Sequence, residues 1–545
     1  MFRKMPVITL LFLLVVLLHV LPIWAYDYFA TEDGPSHLHN SAVLLDFFAE
    51  RIPIFHQYYE LQPTLAGNMV SQLGLIALKS VAPTWLAHKL FLSGYVVLIC
   101  LGFWYAVGSI RRDAMPLAFL IFPFVYSSWL HMGLYNFCLG MALSLFVFGY
   151  FIRHQGNFSP KQTTILMLLF LILYFTHIVA LGAVALAVTV LSLTAVVLAN
   201  KGRRSHDNSL PEIGKRHLVP LVAIVPSALM VLFYLGEGGR SDFTFDGLRI
   251  AAWRIYSVAP IASTSDGDYT FGKAVAALVA VIGSVAVFSR RKEQELRLHD
   301  GLVVAAIVFL VMTITVPDTV GDGTYIRMRL IFYFYFALIF WIAAQPLSKT
   351  ILRCSAGAAV LISALLFVSR ASAYAELDRQ VTEYMSAAPW IDPDTTLLSL
   401  SFASWGYEPT QKRLVKTYLP FEHISGLLAA DKGVVDLGNY EANLHAFWTR
   451  FRPQLNPFRF INGDQRTESR PLATNLFGYP PGSGGRVDYV LLWGFKDDES
   501  GNNQTQNLRH QLSEAYDLIY VSQERRLVQL YRRKQFPGGS AGMKY

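Results

Sequence analysis

The chain is short of charge and of cysteine. Only 15% of its 545 residues are Asp, Glu, Lys or Arg, fewer than a soluble chain of this length carries, so a purely soluble fold is disfavoured from the outset. The three cysteines, Cys100, Cys138 and Cys354, lie in or beside apolar stretches with no CxxC spacing and no even framework. Neither a disulfide scaffold nor a thiolate metal centre has support from them. There is no repeat at solenoid periods, and no HExxH-like spacing supplies a third ligand to the few histidines. The formal net charge of +8 does not mark a nucleic-acid binder, because Lys and Arg fall mostly in short clusters between apolar segments. That pattern reports membrane topology.

What the chain has in abundance is apolar length: 53% of its residues are hydrophobic, and they are gathered into runs. Stretches able to cross a hydrocarbon core of ~30 Å lie near 6–26, 86–110, 114–131, 134–152, 163–179, 181–200, 217–236, 272–289, 301–317, 328–346 and 352–369, about eleven crossings. The expected fold is a polytopic α-helical membrane protein. With Arg3 and Lys4 on the cytoplasmic side, Arg111-Arg112, Arg153 with Lys161, Lys201 to Arg204 with Lys215-Arg216, Arg290 to Lys292, and Lys349 with Arg353 all fall on that same side, as the positive-inside rule requires. This holds on one condition. The apolar stretch Leu65 to Val81 must lie at the outer interface or re-enter it, since a further crossing there would put Arg111-Arg112 outside. Residues 1–25 also have the outline of a signal peptide cleavable after Ala25, although the unbroken run and the interfacial Trp24 fit a retained first helix.

On this topology the polar, irregular segments share the outer side, while the cytoplasmic loops are short and basic. We divide the chain into a transmembrane domain, 1–369, whose first outer loop is 27–85, and a soluble exocytoplasmic α/β domain, 370–545. Within the tail, Thr396–Ser401, Gly433–Leu437, Val487–Trp493, Asp517–Val521 and Leu527–Tyr531 read as strands, and Arg370–Tyr384 and Gln504–Ala515 as helices.

Candidate chemistry begins at Thr31-Glu32-Asp33-Gly34-Pro35-Ser36-His37-Leu38-His39-Asn40, directly after the first apolar run. Charge at a membrane edge either stays solvated or lines a polar cavity. Glu32 and Asp33 are adjacent, so their side chains diverge and one of them faces a given pocket; Asp33 is the better candidate for a general base or a cation contact. The plain alternative is that Asp33 caps the helix opening at Pro35. His37 follows four residues on and can share a face with Asp33, as a catalytic or substrate-contacting group or as an interfacial histidine with no role. His131, Asn136 and His177 stand singly at the outer ends of membrane helices, where they can reach the same cavity or satisfy helix termini. Arg327 and Arg329, after Asp318, Asp322, Gly323 and Tyr325, open a helix entering the membrane. A planar guanidinium there matches a phosphate oxygen, or snorkels to lipid headgroups. Arg240 and Arg254 in the preceding outer loop, with Asp242, Arg249 and Trp253, are weaker signals of the same kind.

An acidic residue in the first outer loop, an interfacial helix behind it, about eleven crossings and an exocytoplasmic α/β tail resemble the GT-C integral-membrane glycosyltransferases. That class includes protein mannosyltransferases, the aminoarabinose transferase of lipid A and oligosaccharyltransferase catalytic subunits. The resemblance implies a sugar moved, with inversion, from a polyprenyl-phosphate donor to a glycan, lipid or protein acceptor on the outer face, at the inner membrane if the source is bacterial, with the N-terminus cytoplasmic and the C-terminus periplasmic. It makes Asp33 the catalytic carboxylate with Glu32 as its neighbour, and gives Arg327 or Arg329 the donor phosphate. A divalent cation is compatible with that carboxylate, but no metal site is called for by the sequence. Many members carry Asp-Glu or Asp-Asp where this chain has Glu32-Asp33, and no WWDxG-like sequence occurs in the tail, which disfavours oligosaccharyl transfer. Two other readings stay open: a lipid or polysaccharide transporter or flippase, and a non-catalytic partner subunit of the same architecture.

Overall fold

Helix boundaries follow local chemistry. Pro160 opens the helix Pro160–Thr176 behind Ser159, which caps it in a reciprocal box with Gln162, and the Ser348 hydroxyl accepts the Ile351 N–H at the start of Lys349–Met385; such caps satisfy the orphan N–H groups of a first turn. The computed structural model describes residues 6–63, 67–201, 218–236, 241–242, 247–290, 296–320, 323–409, 413–444, 446–461, 474–495 and 503–535. Among the described residues nine helices are long and apolar enough to cross a membrane, and Pro160–Thr176, at 17 residues, sits at the lower limit for doing so. Of the expected basic clusters, Arg3, Lys4, Arg203, Arg204, Lys215, Arg216, Arg291 and Lys292 lie outside the described residues, as do Asp322 and Arg240.

The apolar run 114–131 is not the continuous α-helix its composition predicts. It forms a 3-10 helix, Arg112–Ile121, then two single turns, Phe122–Val125 and Ser128–His131. It nonetheless runs from one end of the bundle to the other. Arg112 shares a cavity with Pro6, Thr9 and Arg353, while the His131 carbonyl accepts the Glu32 N–H at 2.9 Å. Irregular backbone is tolerable at membrane depth only inside protein, and here Leu117 to Leu130 are buried. The break at Tyr126 is stitched by a residue far along the chain. Arg370, fully buried, donates to the Tyr126 carbonyl at 2.7 Å, to the Ile261 carbonyl at 2.5 Å and, through Nε, to Asp268 Oδ2 at 3.0 Å.

Counting that segment, the described crossings alternate, and the two ends of the bundle differ in charge. Arg111, Arg112, Arg153, Lys349 and Arg353 gather at one end; the acidic turn lies at the other, against the C-terminal region. Leu65–Val81 contributes the helix Val70–Lys79, 10 residues long, too short to span. It is held at the acidic end, where the Met69 N–H bonds the Phe175 carbonyl at 2.9 Å.

The tail folds around a five-stranded mixed sheet in the order Val435–Asp436, Thr396–Ser401, Tyr489–Trp493, Val528–Arg533, Tyr516–Val521, parallel across the first three strands and antiparallel thereafter. No linker separates it from the membrane helices. Residue 370 falls inside the single helix Lys349–Met385, whose 37 residues extend about 55 Å at 1.5 Å each. The first outer loop is also woven in: Tyr59–Leu61 pairs antiparallel with Thr449–Phe451, and Val43, Ile54, Phe55 and Tyr58 are core residues of the tail.

Candidate functional site

Glu32 and Asp33 sit on a backbone locked from below. Their N–H groups bond the His131 and Met132 carbonyls at 2.9 and 3.1 Å. The next residue, Gly133, has φ +75° and lies so close that a Cβ there would come within 2.5 Å of the Gly34 nitrogen. Only glycine fits both demands. Asp33 occupies the position before Gly34–Ala49, yet its side chain makes no capping hydrogen bond. The carboxylate is turned instead into a cavity of about 360 Å³, within the range of small-molecule sites.

Three membrane helices aim their N-termini at the same cavity. Asn136 lies in the first turn of Tyr135–His154, His177 immediately precedes Ile178–Lys201, and Arg329 is in the first turn of Ile326–Ala343; all three residues line it. Helix N-termini carry partial positive charge and free N–H groups, so this wall favours an anion. Arg329 is 5% exposed. It lies 2.7 Å from His177 Nε2 through Nη1, packs over the Phe137 ring at 5.0 Å, and keeps a buried Nε with no partner.

The tail supplies the opposite wall. His423 Nε2 is 3.8 Å from Asp33 Oδ1, the Tyr440 hydroxyl hydrogen-bonds the same carboxylate, and the two rings stack at 4.3 Å. Burial raises the Asp33 carboxyl above the ordinary carboxylate range; the charges of His423 and His37 and the Tyr440 hydroxyl oppose that rise without cancelling it. Tyr440 is itself pushed well up by burial and by Asp33, so it stays a phenol and donates.

His37 lines the cavity but serves mainly as a fastener. Its Nδ1 pairs with Glu441 Oε1 at 2.7 Å and its Nε2 faces the Gly133 carbonyl at 3.1 Å. Two acceptors on the two ring nitrogens call for the imidazolium. Burial works against that charge, but Glu441 and Asp33 outweigh it and hold His37 above its ordinary value. Glu441, fully buried, is braced again by Asn40 Nδ2 at 2.5 Å. Glu32 is spent likewise, its Oε2 accepting the Leu419 N–H at 2.7 Å. Asn136 reaches the cavity wall with its amide already bonded to the Ser71 N–H and the Asn68 carbonyl.

Three expected residues lie elsewhere. His131 is buried beneath the acidic turn, between the Ser127 carbonyl and the Tyr374 hydroxyl. Arg327 turns to Asp318, with Nε 3.5 Å from Oδ1, and Arg254 sits on Leu248–Tyr256, near Tyr269. Neither arginine is among the cavity-lining residues. His423 and Tyr440 were missed by sequence reasoning, since nothing local to Glu422-His423 or Asn439-Tyr440 distinguishes them from ordinary polar loop residues. Among the described residues no cluster of three or more His, Cys, Asp and Glu converges to hold a metal.

No family model and no curated protein matches the sequence. Among solved structures the chain is similar to ArnT from Cupriavidus metallidurans bound to undecaprenyl phosphate, at 10% identity and a TM-score of 0.49 over 98% of this chain and 99% of that one. The same protein in the apo state matches at 9% identity and a TM-score of 0.44, over 96% and 97% of the two chains.

Proposed function

We propose that the chain is a membrane glycosyltransferase that moves a sugar from a polyprenyl-phosphate donor to a hydroxyl of a glycan, lipid or protein acceptor. The observation that carries this reading is the polarity of one cavity: an uncapped carboxylate on one side, and a buried arginine with three helix N-termini on the other. A sugar phosphate presents the complementary pattern, with an anomeric carbon beside a phosphate.

In the reaction Asp33 takes the proton of the acceptor hydroxyl, and that oxygen attacks the anomeric carbon from the face opposite the phosphate. The bond from anomeric carbon to phosphate oxygen breaks, and the phosphate leaves with the electron pair and the lipid. Arg329 and the N–H groups beside it receive the charge. The raised pKa of Asp33 suits a base that must accept a proton. His423 and Tyr440 hold its carboxylate in place, and inversion follows from the single displacement. No step is routed through a cation, since among the described residues no group of three or more His, Cys, Asp and Glu converges to hold one.

With the basic end of the bundle in the cytoplasm, the cavity and the tail face the exterior, the periplasm in a bacterial inner membrane. Purified protein given a radiolabelled polyprenyl-phosphate sugar and candidate acceptors tests the reading. The expected result is donor turnover that disappears in Asp33→Asn while the protein still folds and inserts. A folded Asp33→Asn protein working at the parental rate would remove Asp33 from this role. Transport of the lipid without glycosyl transfer would replace the reading with a transporter.

A further inference from the structure

At the end of the bundle remote from Asp33, a second cavity of about 910 Å³ opens between the membrane helices. Its cationic lining is Arg111, Arg112, Arg153, Lys349 and Arg353, against a single carboxylate, Asp113. Cations at this face of a membrane protein ordinarily report topology and spread their charges into water. Here they converge on one concavity, although they come from different helix ends: Arg111 and Arg112 follow Thr84–Ile110, Arg153 ends Tyr135–His154, and Lys349 and Arg353 open Lys349–Met385.

Arg112, Arg153, Lys349 and Arg353 are exposed and Arg111 is half-buried, and two observations give this rim a ligand to hold. None of the five has a carboxylate oxygen within 4.0 Å among the described residues, so the charge has not been neutralised by the protein. Arg111 Nε is buried with no hydrogen-bond partner, the condition of a donor whose acceptor is a separate molecule. Much of the remaining wall is apolar, with Ile8, Trp104, Met115 and Leu352 among its lining residues. Arg153 lies over the Tyr105 ring at 4.9 Å, which holds its guanidinium plane in the cavity mouth.

We propose that this cavity is a binding site for the phosphodiester headgroup of an anionic diacyl phospholipid. The guanidinium groups take the phosphate oxygens and the apolar wall takes the first methylenes of an acyl chain. On the proposed function the polyprenyl-phosphate carrier is not the occupant, because its reacting phosphate then belongs at the opposite end of the bundle, beside Arg329; the headgroup site itself rests on the cationic lining and the apolar wall alone.

The test is native mass spectrometry of the full-length, delipidated protein titrated with phosphatidylglycerol or with phosphatidylcholine of the same acyl composition. Retention of phosphatidylglycerol at concentrations where phosphatidylcholine is lost is the expected result. Each removed cation should weaken that retention about fivefold, the equivalent of ~1 kcal/mol per basic residue at a membrane surface. Arg111→Gln/Arg353→Gln should thus bind about 25-fold more weakly, while Lys432→Gln in the tail, of parental melting temperature, binds as the parent does. Equal retention of the two lipids would overturn the proposal, as would an unaltered double variant. Full displacement of phosphatidylglycerol by millimolar inorganic phosphate would also overturn it, by showing an anion site with no lipid component.

Discussion

Arg329 donates to His177. The guanidinium Nη1 lies 2.7 Å from His177 Nε2, and a neutral imidazole that accepts there carries its proton on Nδ1. The bond fixes the guanidinium while its Nε stays buried with no hydrogen-bond partner, and an oxyanion in the cavity would satisfy that donor. Arg329→Gln should therefore lower donor turnover about 10²- to 10³-fold, the scale of losing one preorganised donor to developing charge. Arg329→Lys should recover little of it, because an ammonium lacks the planar fork. Steady-state rates across a donor titration check this, and parental turnover by folded Arg329→Gln would refute the assignment.

The two adjacent carboxylates should separate cleanly by mutation. Glu32 accepts the Leu419 N–H, a bond that a glutamine oxygen can keep, so Glu32→Gln should retain most of its activity. Glu32→Ala loses the acceptor and should cost about 1–3 kcal/mol of stability. On the proposed mechanism Asp33→Asn removes the base and should abolish turnover at parental stability. Comparison of melting temperatures with initial rates for the three variants decides it; loss of activity in Glu32→Gln equal to that in Asp33→Asn would show that both carboxylates act.

The pH dependence of stability should carry a histidine signature. His37 is held above its ordinary value of 6.5 in the fold, so its contribution is fully present below pH 6.5 and is lost as pH rises through the higher folded value. The melting temperature should fall across that alkaline window in the parent and change less in His37→Gln. Glu441→Gln, which strands the buried imidazolium, should be destabilised by about 3–5 kcal/mol. Thermal unfolding in detergent from pH 5 to 9 measures both, and a parental profile identical to that of His37→Gln would contradict the pairing.

The crossings were readable because apolar length is a local property, and so was the separation of the acidic turn from the Arg111-Arg112 end of the bundle, because charge at a membrane edge is rare enough to stand out. Asp33, His177 and Arg329 were singled out as polar groups at helix ends beside the membrane, and the structure brings the three to one cavity. The form of the segment 112–131 was hidden, since its composition is apolar throughout and the arginine that lets it depart from an α-helix comes 244 residues later, from Arg370 to the Tyr126 carbonyl. The boundary placed at residue 370 marks a change in polarity that occurs partway along one continuous helix, where the chain leaves the apolar region without changing its backbone. His423 and Tyr440 meet Asp33 only because Gly34–Ala49 docks on the tail. That contact needs Gly426, where a Cβ would come within 2.5 Å of the Pro35 carbonyl oxygen, and no window of sequence contains both partners.

The buried pair Asp268 and Arg370 gives a prediction about architecture and none about chemistry. Both side chains are fully buried, and Asp268 Oδ2 also accepts the Ser263 and Thr264 N–H groups at 2.9 Å each. Arg370→Leu would leave that carboxylate and the Tyr126 and Ile261 carbonyls without the guanidinium that now bonds them, so the expected cost is about 3–5 kcal/mol. Asp268→Asn keeps an oxygen for the two backbone N–H groups and should cost less. Since the Arg370 helix reaches the Asp33 loop through Tyr374 and His131, Arg370→Leu should also depress turnover, in step with the fraction of unfolded protein. Denaturation curves read beside rates at several temperatures make the distinction. Activity lost from Arg370→Leu at temperatures where it is still fully folded would place this cluster in the reaction and contradict a purely architectural role.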